Sequence, residues 1–272
     1  MIEIVPSPRE SARFGLRIGR ATIDRVDVEG IASALRRNAL DFAILRLPSR
    51  AIDALDGLRR YGFDPIIADT LVSYEIALES SRSSERHSEI TLRPATRDDA
   101  RLLESMTREI FRGYVTHYHA NPLFASDKIL DGYAEWAAGH LDQIDGVGAW
   151  IVQHDKEIVG FSCYQIVAKD SLAIGVLNGI LPRARGRGNY RAMLRGMLDH
   201  FAALGLQRFS IATQIHNSAV QRTWTKEGLT LREVSNTVHI NMLRAASPHL
   251  GAGQAELSGT ASVASIDPSI DS

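Results

Sequence analysis

One stretch limits the folds open to this chain more than any other. It is Leu181-Pro182-Arg183-Ala184-Arg185-Gly186-Arg187-Gly188-Asn189-Tyr190, set between an apolar run and an amphipathic one. Before it, Leu172-Ala173-Ile174-Gly175-Val176-Leu177 predicts a short strand. After it, Met193, Leu194, Met197, Leu198 and Phe201 recur at helical spacing. A strand, a glycine turn and a helix start leave backbone N–H groups converging without acceptors, and the helix dipole adds partial positive charge there. Gly186 and Gly188 allow dihedrals that a Cβ forbids and let a ligand approach the backbone. Arg183, Arg185, Arg187, Arg191 and Arg195 fall in or just after the turn with no acid among them, although the whole chain is net −1. The excess is local, and the stretch predicts an anion site, phosphate foremost.

Two familiar phosphate loops do not fit. No Gly-x-x-x-x-Gly-Lys-Ser/Thr run exists, and Arg191 stands where the dinucleotide fingerprint has its third glycine. Arg183-Ala184-Arg185-Gly186-Arg187-Gly188 does fit Arg/Gln-x-x-Gly-x-Gly. It is followed by an alternating strand, Arg208 to Gln214, then by Asn217-Ser218-Ala219-Val220 and a helix closed at Lys226-Glu227-Gly228. This series resembles the coenzyme-binding half of the GNAT superfamily of N-acetyltransferases. The resemblance implies a mixed α/β (α+β) acyltransferase fold and acetyl-CoA or another acyl-CoA as co-substrate. Carried over, the coenzyme positions are Leu177, Arg183, Ala184, Arg185, Gly186, Arg187, Gly188, Asn189 and Asn217. The family's oxyanion N–H comes from the strand before the loop, here around Leu177-Asn178-Gly179-Ile180. Asn178 is therefore a catalytic candidate, and Gly179 is expected to mark a bulge.

The 272 residues allow one large domain or two smaller ones. Residues 1–80 read as β-α-β-α-β: a strand over Phe14–Ile23, a helix over Val28–Leu40, a strand over Asp41–Leu47, a helix over Ala51–Tyr61, and one or two strands over Phe63–Leu78. This unit looks like a degenerate, truncated copy of the second and lacks a Gly-x-Gly loop. Residues 81–88 are serine-rich and read as a linker. Residues 89–244 form the acyltransferase domain, opened by Ile90-Thr91-Leu92-Arg93-Pro94 and a helix capped by Thr96. Residues 245–272 read as a disordered tail. A sequence pI near 6.8 argues against a general nucleic-acid binder. No signal-peptide core or bilayer-length apolar run is evident, so a cytoplasmic, membrane-free chain is expected. Cys163, the single cysteine, is expected to be a packed core thiol.

Between Phe111 and Phe124 the chain turns aromatic and histidine-rich. Tyr114, Tyr118, His119 and Phe124 are candidates for an acceptor-binding loop, with a partly buried structural loop equally compatible, and His117, His119 or a bound water for a general base. His117-x-His119 lacks a third ligand at sensible spacing, so no metal is expected. On the helix Ser126–Leu141, the apolar face Ile129, Tyr133, Trp136 and Ala137 reads as core.

Within the superfamily the chain resembles the bacterial dTDP-fucosamine N-acetyltransferases. The shared segments are Tyr-x-x-x-Pro-x-Phe-x-x-x-Lys…Tyr-x-x-Trp at 118–136 and Ala-Thr-Gln-x-x-Asn-x-Ala at 212–219. That likeness implies a small-molecule amine acceptor, a dTDP-amino sugar in the leading case, and leaves a homodimer open. It departs at the last helix, where those enzymes place a general-acid tyrosine and this chain has Trp224. An acyltransferase for another small amine or a protein N-terminus, and a silent acyl-CoA-binding module, are the alternatives. Tyr190, Thr223 and Thr225 are other nearby hydroxyls.

Overall fold

A computed structural model describes residues 2–78, 90–142 and 146–242. The linker read at 81–88 and the tail at 245–272 lie outside them. In chain order the elements are β1 (Val5–Pro6), α1 (Pro8–Phe14), β2 (Ile18–Thr22), α2 (Val28–Arg37), β3 (Phe42–Pro48), α3 (Ala54–Arg60) and β4 (Pro65–Ala77). After the linker come β5 (Ile90–Pro94), α4 (Ala100–Ile110), α5 (Ser126–Ala138), β6 (Val147–His154), β7 (Glu157–Val167) and β8 (Leu172–Ile180). The described chain ends with α6 (Asn189–Ala203), β9 (Arg208–Gln214), α7 (Ser218–Lys226) and β10 (Thr230–Asn241). No described helix is long and apolar enough to cross a membrane.

The ten strands of the described residues form one sheet, in the order β1-β2-β3-β10-β4-β9-β8-β7-β6-β5. The last strand is inserted between β3 and β4, antiparallel to both, so the two halves of the chain share a single sheet. Alternation along the strands sends side chains to opposite faces. Ala43, Leu45 and Leu47 of β3 join Val238 and Ile240 of β10 under α2 and α3. Phe42 and Ile44 face the other way and meet Phe14, Tyr118, Phe124 and Ile129. In the other half, Phe209, Ile211 and Trp224 pack with Met193, Met197 and Phe201 of α6. Leu103, Met106 and Ile110 of α4 cover Ile151, Phe161 and Cys163 on the opposite face. The Cys163 thiol is fully buried and burial raises its pKa, so it is the packed thiol expected of it.

Several local readings shift. Residues 14–17 are not strand: α1 ends at Phe14, with Gly15 as its left-handed cap at φ 70°, and β2 begins at Ile18. The helix expected from Ala51 starts at Ala54, after a short 3-10 turn. The interval Phe63–Leu78 holds one thirteen-residue strand, β4. Thr96 does cap, in a box with Asp99, but a 3-10 turn precedes α4. Trp136, expected in the core, is 43% exposed.

Candidate functional site

The site begins where the sheet comes apart. β8 pairs with β9 only over Leu172–Gly175, with Gly175 opposite Ile211. Beyond that rung β8 continues to Ile180 against β7, and β9 to Gln214 against β4, so the two strands diverge. The β7–β8 register passes from Cys163 opposite Leu177 to Tyr164 opposite Gly175, which leaves Val176 as an extra residue. The bulge expected at Gly179 thus sits at Val176, and facing reverses there: Ala173 belongs to the α6-side core, Leu177 to the α4-side core. Gly179 serves packing instead, since a Cβ there would lie 2.4 Å from Cγ2 of Ile110. Divergence frees the β9-facing N–H and C=O groups of β8 beyond Gly175 for a ligand.

The arginine turn closes one end of this gap. Gly186 and Gly188 hold φ of 75° and 77°, and a Cβ on either would meet nothing within 4 Å. Their φ values demand glycine, and the space over them is open. Helix α6 starts directly after Gly188, and its first intrahelical bond is Ala192 N–H to the Gly188 carbonyl, at 3.0 Å. The N–H groups of Asn189, Tyr190 and Arg191 therefore precede the ladder. Asn189 is buried and pins the turn, donating from Nδ2 to the Ala184 carbonyl at 2.9 Å while Oδ1 lies 2.6 Å from His154 Nδ1.

The arginines divide their labour. Arg185 donates to the carbonyls of Ile180 and Ile110 at 3.1 and 3.0 Å, and Arg183 to that of Ile158 at 3.1 Å. Arg191 and Arg195 both pair with Glu227, which follows α7. Burial raises Glu227, but Arg195 and Arg191 outweigh it and hold the carboxyl below its ordinary value. Arg187 is exposed, with no partner among the described residues. The local cationic excess read from the sequence is therefore smaller in space, and what the turn offers an anion is chiefly its backbone N–H groups.

From the gap opens a cavity of about 1190 Å³ that passes through the sheet. Its α6–α7 side is walled by Tyr190, Val220, Thr223 and Trp224, and its other side by Phe111, Tyr114, Tyr133 and Trp136. Trp224 is 1% exposed, and its indole N–H donates to the Tyr190 hydroxyl at 3.0 Å. Burial raises the Tyr190 pKa, keeping that phenol protonated. Leu177, Asn178 and Asn217 line the cavity as well. Asn178 accepts from the Ser162 hydroxyl, and Asn217 Nδ2 donates to Thr213 Oγ1 at 3.0 Å. Tyr114 donates to Gln214 at the end of β9. A diphosphate at the turn with a slender polar arm through the gap suits these walls.

The far end of the cavity belongs to the first eighty residues, and sequence reasoning missed it. Glu10, Arg13, Arg20, Arg46 and Asp69 line it. Glu10 receives Arg20 at 2.5 and 2.7 Å, Ser7 at 2.6 Å and the Tyr118 hydroxyl. Burial raises Glu10, but Arg20 with these hydroxyls brings it below its ordinary value. The available signal was charge in apolar strands: Arg46 interrupts Phe42-Ala43-Ile44-Leu45-Arg46-Leu47.

Of the loop candidates, Tyr114, His117 and Tyr118 reach the cavity, whereas His119 and Phe124 are not among its lining. His119 Nδ1 accepts from the Thr116 N–H at 3.1 Å in a capping box, and Phe124 sits edge-on to Phe14 and Phe42. His117 Nδ1 lies 2.9 Å from Nε2 of buried His239, so one neutral ring donates to the other. Burial, then the charge of Arg20, lowers both, His239 to about 4. An unfolded chain takes up these protons near pH 6.5 while the folded one resists, so stability is lost as pH falls from 6.5 toward 4. Urea unfolding should show roughly 2 kcal/mol less stability at pH 5 than at pH 7 from His239 alone. The profile of His239→Gln should be correspondingly flatter.

Comparison with known proteins places this geometry. Residues 89–230 match the family model described as acetyltransferase (GNAT) domain. A 90-residue stretch is 31% identical to mycothiol acetyltransferase of Streptomyces griseus, covering 33% of this chain and 29% of that protein. The match thus spans under a third of that relative's length. Among solved structures, a GCN5-related N-acetyltransferase from Kribbella flavida aligns with a TM-score of 0.54 at 14% identity, over 85% of this chain and 83% of that one. Another, from Sphaerobacter thermophilus, gives 0.51 at 16% identity, over 73% and 59%. Both share the fold.

Proposed function

The chain belongs to the acetyltransferase (GNAT) family, and from that premise we propose that it transfers an acetyl group from acetyl-CoA to a primary amine of a small molecule. The observation that carries this reading is continuity: the backbone anion cradle at Gly186–Arg191, the gap between β8 and β9, and a polar far chamber form one cavity. Our leading acceptor is the amino group of a nucleotide-linked amino-dideoxy sugar, supported by the segments at 118–136 and 212–219.

When bound, acetyl-CoA supplies an activated thioester: the amine forms a C–N bond as C–S breaks, one proton leaves the nitrogen, and the departing thiolate takes one up. The N–H groups of Gly186–Arg191 would hold the diphosphate. Unpaired N–H groups of β8 near Leu177 and Asn178 would face developing negative charge on the carbonyl oxygen. Trp224 acts here through Tyr190: because the indole N–H occupies a lone pair of the phenol oxygen, the phenol proton is free to point into the cavity toward a leaving sulfur. Tyr190 thereby takes the general-acid position that Trp224, whose indole proton is too weakly acidic to transfer, does not fill. His117, neutral and buried, remains a base candidate alongside Asp69.

The test is isothermal titration with acetyl-CoA, followed by thiol release on addition of a dTDP-4-amino-4,6-dideoxyhexose. Saturable binding with sugar-dependent release is expected. Binding with release only for other amines would replace the acceptor, and no binding would overturn the transferase reading.

A further inference from the structure

Three neighbouring strands set a row of polar side chains across the sheet. Arg46 of β3 is opposite Thr237 of β10, and Thr237 is opposite Asp69 of β4. Each of the three has a buried polar atom with no hydrogen-bond partner: Arg46 Nε, Thr237 Oγ1 and Asp69 Oδ2. Neither Arg46 nor Asp69 makes an ion pair among the described residues, with each other or with a third group. Their electrostatic influence on each other is nonetheless felt, opposing the effects of burial that lower Arg46 and raise Asp69. Arg20, beside them, is already committed to Glu10 and to the Tyr118 hydroxyl.

Buried charges are ordinarily paired, because an uncompensated one is strongly destabilising. An unpaired Arg46 and an Asp69 whose carboxylate is met, among the described residues, only by the Thr70 N–H and the Gln214 side chain stand apart on one wall of the cavity and form half of an interaction. Resting on the acyl-transfer reading above, we propose that the acceptor is a small amine that also carries an oxyanion, a carboxylate or a phosphate. The oxyanion seats on Arg46 and the amine faces Asp69, both of which line the cavity, while Thr237 lines the small pocket that shares Arg20 and Arg46. Strands spaced about 4.8 Å apart put Arg46 and Asp69 about 10 Å apart at Cα, so the two groups of the acceptor are a few bonds from each other. The guanidinium fork suits either oxyanion. Asp69 also sits one strand from Gln214 and Tyr114, at the open end of the gap where the acyl group would be presented. A neutral amine would leave Arg46 desolvated and unpaired, so selection against it follows from the same wall.

The experiment is calorimetric titration of the CoA-saturated protein, with the anion cradle already filled. Three amines of similar size are compared: ethylamine, β-alanine and O-phosphoethanolamine. At least one anionic amine should bind ten-fold or more tightly than ethylamine, and which one identifies the oxyanion. Arg46→Met, close in volume, should abolish the difference, with its melting curve recorded to show that it folds. Arg46→Lys is the second variant and should retain part of it. Asp69→Asn should weaken the amines but leave binding of inorganic phosphate unchanged. Equal binding of all three amines, or an undiminished preference in both Arg46 variants, would overturn the proposal. If CoA itself does not bind, the transferase reading fails instead, and the same titrations on the free protein still decide the role of Arg46.

Discussion

Replacing Gly188 with valine should weaken acetyl-CoA binding by about 100-fold, equivalent to about 3 kcal/mol. Two effects add. At φ 77° a β-branched residue is strained, at a cost on the order of 1–3 kcal/mol, so the turn relaxes and its N–H groups lose their common focus. The added side chain also projects into space that contains no protein atom within 4 Å, the space assigned to the diphosphate. Gly205→Val is the matched control. Its φ is 78° and its Cβ site is equally open, but it lies beyond α6, away from the cavity. Both variants should lose similar stability in a thermal melt, and only Gly188→Val should lose CoA affinity in a calorimeter. Equal affinity in the two would remove the turn from the coenzyme site.

Trp224→Ala should destabilise the fold by about 3–5 kcal/mol, the range for emptying a large aromatic site. The indole is 1% exposed, meets Tyr74 edge-on at 5.4 Å and belongs to the core beneath α6 and α7. Trp224→Phe separates packing from positioning. It keeps most of the volume but removes the N–H that holds Tyr190, so it should fold and bind acetyl-CoA while kcat falls about ten-fold or more. Stability comes from urea titration and kcat from thiol release. An unchanged kcat in a folded Trp224→Phe would mean that Tyr190 needs no orientation from the indole.

The elements of the candidate site that are built from contiguous sequence were legible. Gly186 and Gly188 announce a turn, Met193 to Phe201 the helix behind it, and Arg208 to Gln214 the strand alongside, because each depends on local dihedral preference or periodicity. What depends on strand neighbours could not be read. Glu227 lies 32 residues beyond Arg195, and nothing local shows that it reduces the charge at the turn. The bulge moved from Gly179 to Val176 because glycine reports absence of a side chain, and at 179 the reason for that absence is Ile110. Arg46, Asp69 and Thr237 come from three distant stretches and meet only through strand order. Their polarity within apolar strands was visible, but their shared purpose was not. His119 and Phe124 show the converse error: residue types suited to a ligand can satisfy a backbone cap or fill an aromatic cluster.

The insertion of β10 between β3 and β4 also sets a schedule. Until Thr230–Asn241 is in place, β3 can pair only with β2 and β4 only with β9, so both expose an edge. During synthesis, the first eighty residues therefore leave the ribosome with open strand edges and wait for more than 150 further residues before their sheet can close. The strand that completes the early half also carries Thr237, so the polar row from Arg46 to Asp69 is joined only when that strand arrives.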